Sequence, residues 1–263
     1  MLLQFTVENY KSFNEPTTFS MSATGIRELP KHVIDGKSPA LRGAAIYGKN
    51  AAGKSNLVLA MGFARDLIVR PATVGRRIAT TPCRLRTDNN RVSSFRWFFQ
   101  YKGRIWQYGF SVEAKGVVEE YLYARNEKGG KELKWFTRET VDNEVQVSFG
   151  QTLRGPAHGK RAKRLELIRS NIRKRPEQLF LPFAIENSVE ELITPYEWFT
   201  DVLVVKRAEN TYSDMLWEVN DDSFLGFLGE FLKFADTEIH RLQRTLVALK
   251  WDSVFPSGFP SEA

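Results

Sequence analysis

Apolar and polar residues alternate over two short runs near the start of the chain, Leu2 to Val7 and Thr17 to Ser22, with the turn-forming Asn14-Glu15-Pro16 between them. That period of two predicts β-strands. A third apolar run, Gly43 to Tyr47, leads directly into Gly48-Lys49-Asn50, as a buried strand ending at a loop would. The period then changes. From Lys54 to Val69 apolar residues fall at Leu57, Ala60, Met61, Ala64, Leu67 and Ile68, the spacing of one helix face, and the run stops before Pro71. Strand, glycine-bearing loop and helix are therefore expected in that order.

Between Cys83 and Phe149 the pattern is that of hairpins, with Tyr-Lys-Gly-Arg, Glu-Ala-Lys-Gly and Glu-Lys-Gly-Gly turns between aromatic and β-branched runs. An antiparallel sheet is expected here. Phe95, Trp97, Phe99, Trp106, Tyr108, Phe110, Tyr121 and Tyr123 recur at strand spacing and read as its buried face, not as a base-stacking surface. Further on, a helix is expected from about Arg161 to Arg173, an apolar strand from Gln178 to Ala184, a helix-like stretch from Val189 to Trp198 and a short strand from Leu203 to Val205. An amphipathic helix starting at Asp221-Asp222-Ser223 follows, then a run after Asp236 that reads as strand. Four segments result: 1–81 with the first strands, the loop and its helix; 82–150 as a β lobe; 151–200 as a basic helical stretch; and 201–263.

Composition narrows the classes. With 263 residues, 42% of them apolar and 13% aromatic, the chain has material for a sizeable core. Cys83 is the single cysteine, which excludes an internal disulfide, and His32, His158 and His240 lie far apart with no cysteine beside them, so no metal-ligand spacing is present. A reducing, cytoplasmic setting is expected. No apolar run approaches the roughly 18 residues of a membrane span, so no membrane partner is expected. The formal net charge of +7 is concentrated, since Arg154 to Arg175 carries nine Lys/Arg against the one acid Glu166. Lys160, Arg161, Lys163, Arg164, Arg173 and Lys174 are candidates for nucleic-acid phosphates; the alternative is a solvated helix face.

The chemistry concentrates at Gly48-Lys49-Asn50-Ala51-Ala52-Gly53-Lys54-Ser55, which satisfies G-x-x-x-x-G-K-[ST]. Glycines at that spacing let successive backbone N–H groups turn inward around phosphates. Lys54 would reach the β- and γ-phosphates, the Ser55 hydroxyl would ligate Mg²⁺, and the helix N-terminus adds partial positive charge. ATP with Mg²⁺ is the expected ligand. Turnover also needs an acid at the end of an apolar strand, and none is recognisable; Val202 to Val205 is followed by Lys206-Arg207-Ala208-Glu209. Binding is thus better marked than hydrolysis.

Phe5 to Phe13, "FTVENYKSF", followed by "YGKNAAGKSNL", resembles the opening of ABC-type ATPases of the RecF, SMC and overcoming-lysogenisation-defect group. Within that group, the hairpin segment, "YEWFTDVLVV" and "FLKFADTEI" (Phe231 to Ile239) resemble bacterial ATP-binding proteins linked to abortive infection and antiphage defence. The resemblance implies an α/β P-loop NTPase head with a mixed nucleotide-binding sheet, a β lobe and helical segments. It implies Gly48, Asn50, Gly53, Lys54 and Ser55 as phosphate and Mg²⁺ ligands, Asn56 just behind them, Lys11 and Ser12 near the nucleotide, and Gln178 as the glutamine beside the metal. Lys49 and Ala52 depart from the commoner proline and glycine without removing a backbone N–H. The group's later motifs, its signature, acidic pair and switch histidine, do not appear, so the expectation is an N-terminal portion of a longer ATPase that works as a homodimer or higher oligomer. An ATP-dependent switch coupled to a nuclease or other effector is the leading reading. RecF-like DNA repair, a scaffold that binds nucleotide without hydrolysing it and a small-molecule kinase are the alternatives.

Overall fold

The computed structural model describes residues 1–23, 30–35, 38–87, 89–127, 129–142, 144–156, 159–207 and 222–234. Residues 1–207 form one compact unit and 208–263 another. In the first, β1 (Leu2–Glu8), β2 (Thr17–Ser20), β5 (Ser93–Tyr101), β6 (Arg104–Glu113), β7 (Gly116–Asn126), β8 (Leu133–Val141) and β9 (Glu144–Phe149) make one sheet of seven strands in the order β2-β1-β5-β6-β7-β8-β9. The short β3 (Val33–Ile34) and β4 (Ala40–Leu41) pair with each other. Every strand pair among the described residues is antiparallel. The segments 1–81 and 82–150, read apart in sequence, share this sheet, because Phe5 lies opposite Trp97 and Val7 opposite Phe95.

Alternation decides which face is covered. Phe5, Val7, Phe95, Trp97, Phe99, Tyr108 and Phe110 point to one side and are buried against α1 (Lys54–Val69), where Ala60, Ala64 and Ile68 allow close approach. Trp198 stacks on Phe99 at 4.1 Å between ring centroids and Phe199 meets Trp97 edge-on at 5.3 Å. Each fully buried ring of this kind contributes about 1.5–3 kcal/mol through removal from water. Farther along the same face pack α2 (Gln151–Arg154), α3 (Lys160–Ile172) through Leu165, Ile168 and Ile172, and α4 (Phe180–Glu186) through Phe180 and Leu181. After α5 (Ile193–Glu197) a π-helical turn over Trp198–Val202 carries the chain back to α1, where Arg65 Nε donates to Phe199 O at 2.9 Å.

Four expectations from the sequence are corrected. Gly43 to Tyr47 is irregular and exposed, with Tyr47 91% accessible, because an apolar run becomes a strand only when a neighbour pairs with it and none of the described residues does. Gln178 to Ala184 is not a strand; its core is the start of α4, where Phe180 to Ala184 are all buried, a pattern in which helix and strand look alike, and Pro182 sits in the first turn where its missing N–H costs nothing. Leu203 to Val205 is an extended segment outside any sheet. Tyr121 and Tyr123 stand on the open face of the sheet, 5.8 Å apart, with Tyr121 lying over Gly109, where a Cβ would fall 2.5 Å from its hydroxyl. In the second unit the expected amphipathic helix is α6 (Asp222–Phe234), in which Phe227 and Phe231 stack at 6.3 Å. The run after Asp236 lies outside the described residues.

Candidate functional site

The Gly48–Ser55 loop joins an irregular approach to the N-terminus of α1. Ala51 (φ 63°) and Gly53 (φ 91°) both take left-handed conformations, the alternation that turns neighbouring N–H groups to one side. At φ 91° Gly53 takes a conformation that favours glycine, and a Cβ there would also crowd Ser12 Oγ at 3.0 Å. No side chain caps α1 and no acid stands in its first turn, so its leading N–H groups are left for an external anion. The Lys54 ammonium donates to Gly48 O at 2.6 Å and Lys49 O at 2.8 Å. It is thereby held over the mouth of the loop. Lys49, Asn50, Ala51, Ala52 and Ser55 are exposed, and among the described residues no carboxylate partners Lys54 or Ser55.

The turn after β1 buttresses this loop. Asn9, with φ 47°, is fully buried; its side chain donates to Asn90 O and Val92 O and accepts from Cys83 N. Tyr10 enters the core, stacked on Phe63 at 5.1 Å. Lys11, also left-handed at φ 52°, donates its backbone N–H to Thr81 O at 2.8 Å, and Ser12 Oγ accepts from Asn56 Nδ2 at 2.8 Å. The structure therefore brings Ser12, Gly53 and Asn56 together, and places Lys11 beside them on the flank of α1. Asn9 was not singled out in sequence, although Asn before an aromatic residue at a strand end is a recognisable left-handed turn former.

Gln178 lies elsewhere. Its Nε2 donates to Ala72 O at 3.0 Å and its Oε1 accepts from Arg175. Ala72 follows the C-terminus of α1, a helix of 16 residues and about 24 Å that starts at Lys54, so Gln178 serves at the end remote from Ser55. There it works with Glu177, whose carboxylate accepts from Gly75 N at 2.8 Å, and the two residues fix the chain that leaves α1. Behind them Glu120 is buried. It accepts from Tyr108 Oη at 2.9 Å and from the N–H groups of Phe180 and Leu181, so that a strand carboxylate caps α4. Arg138 fills the remaining space, donating to Val117 O at 2.8 Å and Pro176 O at 2.9 Å. Burial pushes the Glu120 carboxyl up, against the opposing pull of Arg138 and the hydrogen bonds, and burial lowers Arg138 to about 10.

Of the candidate cations, Arg161 pairs with Glu191 at 2.5 Å and Arg164 donates to Ser188 O at 2.7 Å, so both pin α3 to the turn before α5. Lys160, Lys163, Arg173 and Lys174 are exposed and have no side-chain partner among the described residues.

A glycine-bearing nest, an uncapped helix N-terminus and a lysine folded over both define a P-loop NTPase of α/β architecture. Residues 44–242, more than half of the chain, match the family described as "AAA domain, putative AbiEii toxin, Type IV TA system". The chain belongs to that family of AAA-type ATPase domains. No curated protein matches it. Among the described residues no helix is long and apolar enough to cross a membrane, and no group of His, Cys, Asp or Glu is placed to hold a metal ion by itself.

Proposed function

We propose that this chain is the ATP-binding subunit of a nucleotide-dependent switch in an antiphage defence complex, an ABC-type head that dimerises around ATP and licenses a nuclease or similar effector. The observation that carries the reading is the Lys54 ammonium held on Gly48 O and Lys49 O over an uncapped helix start. Those two carbonyls hold the cation in the position that a phosphate chain would take over, so ATP replaces two neutral acceptors with stronger charged ones. The N–H groups of the loop would hold the phosphates, Lys54 would neutralise their charge and the Ser55 hydroxyl would hold Mg²⁺. Membership in a family named for a toxin system, together with the RecF- and SMC-like opening, supports the defence role. A scaffold that binds ATP without hydrolysing it is the second reading, favoured by the lack of a carboxylate at Lys54 or Ser55 among the described residues.

Calorimetric titration with Mg²⁺-ATP tests the site. Lys54→Ala is expected to abolish binding and leave the fold intact, since Lys54 bonds only to its own loop. Undiminished ATP affinity in a folded Lys54→Ala protein would rule the site out.

A further inference from the structure

We propose that a cavity on the flank of α1, separate from the Gly48–Ser55 loop, is a second anion site that takes a nucleoside phosphate. The cavity is an open groove of about 530 Å³, a volume within the range of small-molecule sites. Its walls are of two kinds. Leu59, Phe63 and Leu67, partly exposed over the buried Tyr10 and Ile78, make an apolar side, in which the Phe63 ring, stacked on Tyr10 from behind, is the aromatic surface within reach of a base. Lys11, Arg70, Arg76, Arg77 and Arg207 make the other, against the one carboxylate of Asp66, which stands 3.6 Å from Arg207.

The guanidinium groups of Arg70, Arg76 and Arg77 have no hydrogen-bond or ion-pair partner among the described residues. Planar donors left open beside an aromatic wall suit a phosphate joined to a base, since guanidinium binds phosphate oxygens in pairs and every base has a stacking face. The site is also built. Glu177 and Gln178, both buried, hold Gly75 N and Ala72 O and so fix the chain that carries Arg76 and Arg77. Arg207 lies against α1 at Gly62, its Nη2 2.9 Å from where a Cβ would stand.

The cavity borders the loop only at Lys11, next to Ser12, and runs away from it down α1. Leu59 to Arg70 lie about 6 to 22 Å beyond Ser55 along the helix axis. The phosphate could come from a free nucleotide or from the 5′ end of a nucleic-acid strand, and the chemistry recognised is the same.

Calorimetry on the full chain carrying Lys54→Ala, a variant that rests on the reading above in being expected to disable the loop site, tests the proposal with three probes: AMP, a 5′-phosphorylated thymidine dinucleotide and the same dinucleotide without its 5′-phosphate. One equivalent of a 5′-phosphorylated probe is expected to bind, and Arg76→Glu with Arg77→Glu is expected to weaken it at least about tenfold, as loss of charge-assisted contacts would. Arg70→Glu serves if the double variant loses its circular dichroism. Preference for AMP identifies a free nucleotide as the source and preference for the phosphorylated dinucleotide identifies a strand end. Absence of binding by every probe, equal binding with and without the 5′-phosphate, or affinity untouched by charge reversal in folded protein each overturns the proposal.

Discussion

Glu120 shows how much rests on one side chain. Two helix amides and a tyrosine hydroxyl, all buried, have its carboxylate as their acceptor. Glu120→Ala is expected to cost about 3–5 kcal/mol in urea denaturation, because the three donors would stay buried without partners. The pH dependence has a definite sign. The folded-state pKa is raised above the ordinary 4.5, so the folded protein holds this proton more tightly than the unfolded chain does. Stability from this group rises as pH falls through the interval above 4.5, and the native protein should gain stability relative to Glu120→Gln over that interval. A stability difference that stays flat with pH would show that Arg138 and the hydrogen bonds outweigh burial.

Among the elements, α1 and α3 were legible in sequence because a helix face has a period that a strand cannot imitate, and both ends of α1 are marked, by Lys54 and by Pro71. The Gly43 to Tyr47 run has the apolar residues and the following loop of a buried strand, but neither says whether a pairing partner exists. Nothing in the sequence around Glu120 marks it for burial, since Glu119 stands beside it and α4 approaches from sixty residues away. The loop itself is legible from spacing; Ser12 is legible only by resemblance and the bracing role of Asn9 not at all, because long-range contacts leave no local period. On α3 and the turn that follows it, Lys160, Lys163, Arg173 and Lys174 form the surface left for a polyanion once Arg161 and Arg164 are spent on Glu191 and Ser188. Four phosphate contacts predict a log-log salt slope of about −3.6 for duplex DNA, and charge reversal at these four should flatten it with little change in stability. No affinity at low salt, or a slope that survives reversal, would make α3 a solvated face.

For the molecule as a whole, the loop is presented to solvent from Gly48 to Ala52, and no carboxylate among the described residues stands at Lys54 or Ser55 to orient a water molecule. The 263-residue chain is accordingly expected to bind ATP yet release phosphate very slowly or not at all. Steady-state phosphate release is the measurement, and turnover near one per second that Lys54→Ala abolishes would reveal a complete catalytic centre in this chain.

The capping of α4 by a strand also sets an order of assembly. The pairs β5–β6, β6–β7, β7–β8 and β8–β9 join neighbours in the chain across short turns, so their loops close at small entropic cost and the meander can form early. The amides of Phe180 and Leu181 gain their acceptor only when a segment 60 residues downstream of Glu120 has docked on it. Their protection from hydrogen exchange is thus a clock for the later event, the closing of the helical layer over a sheet that already exists.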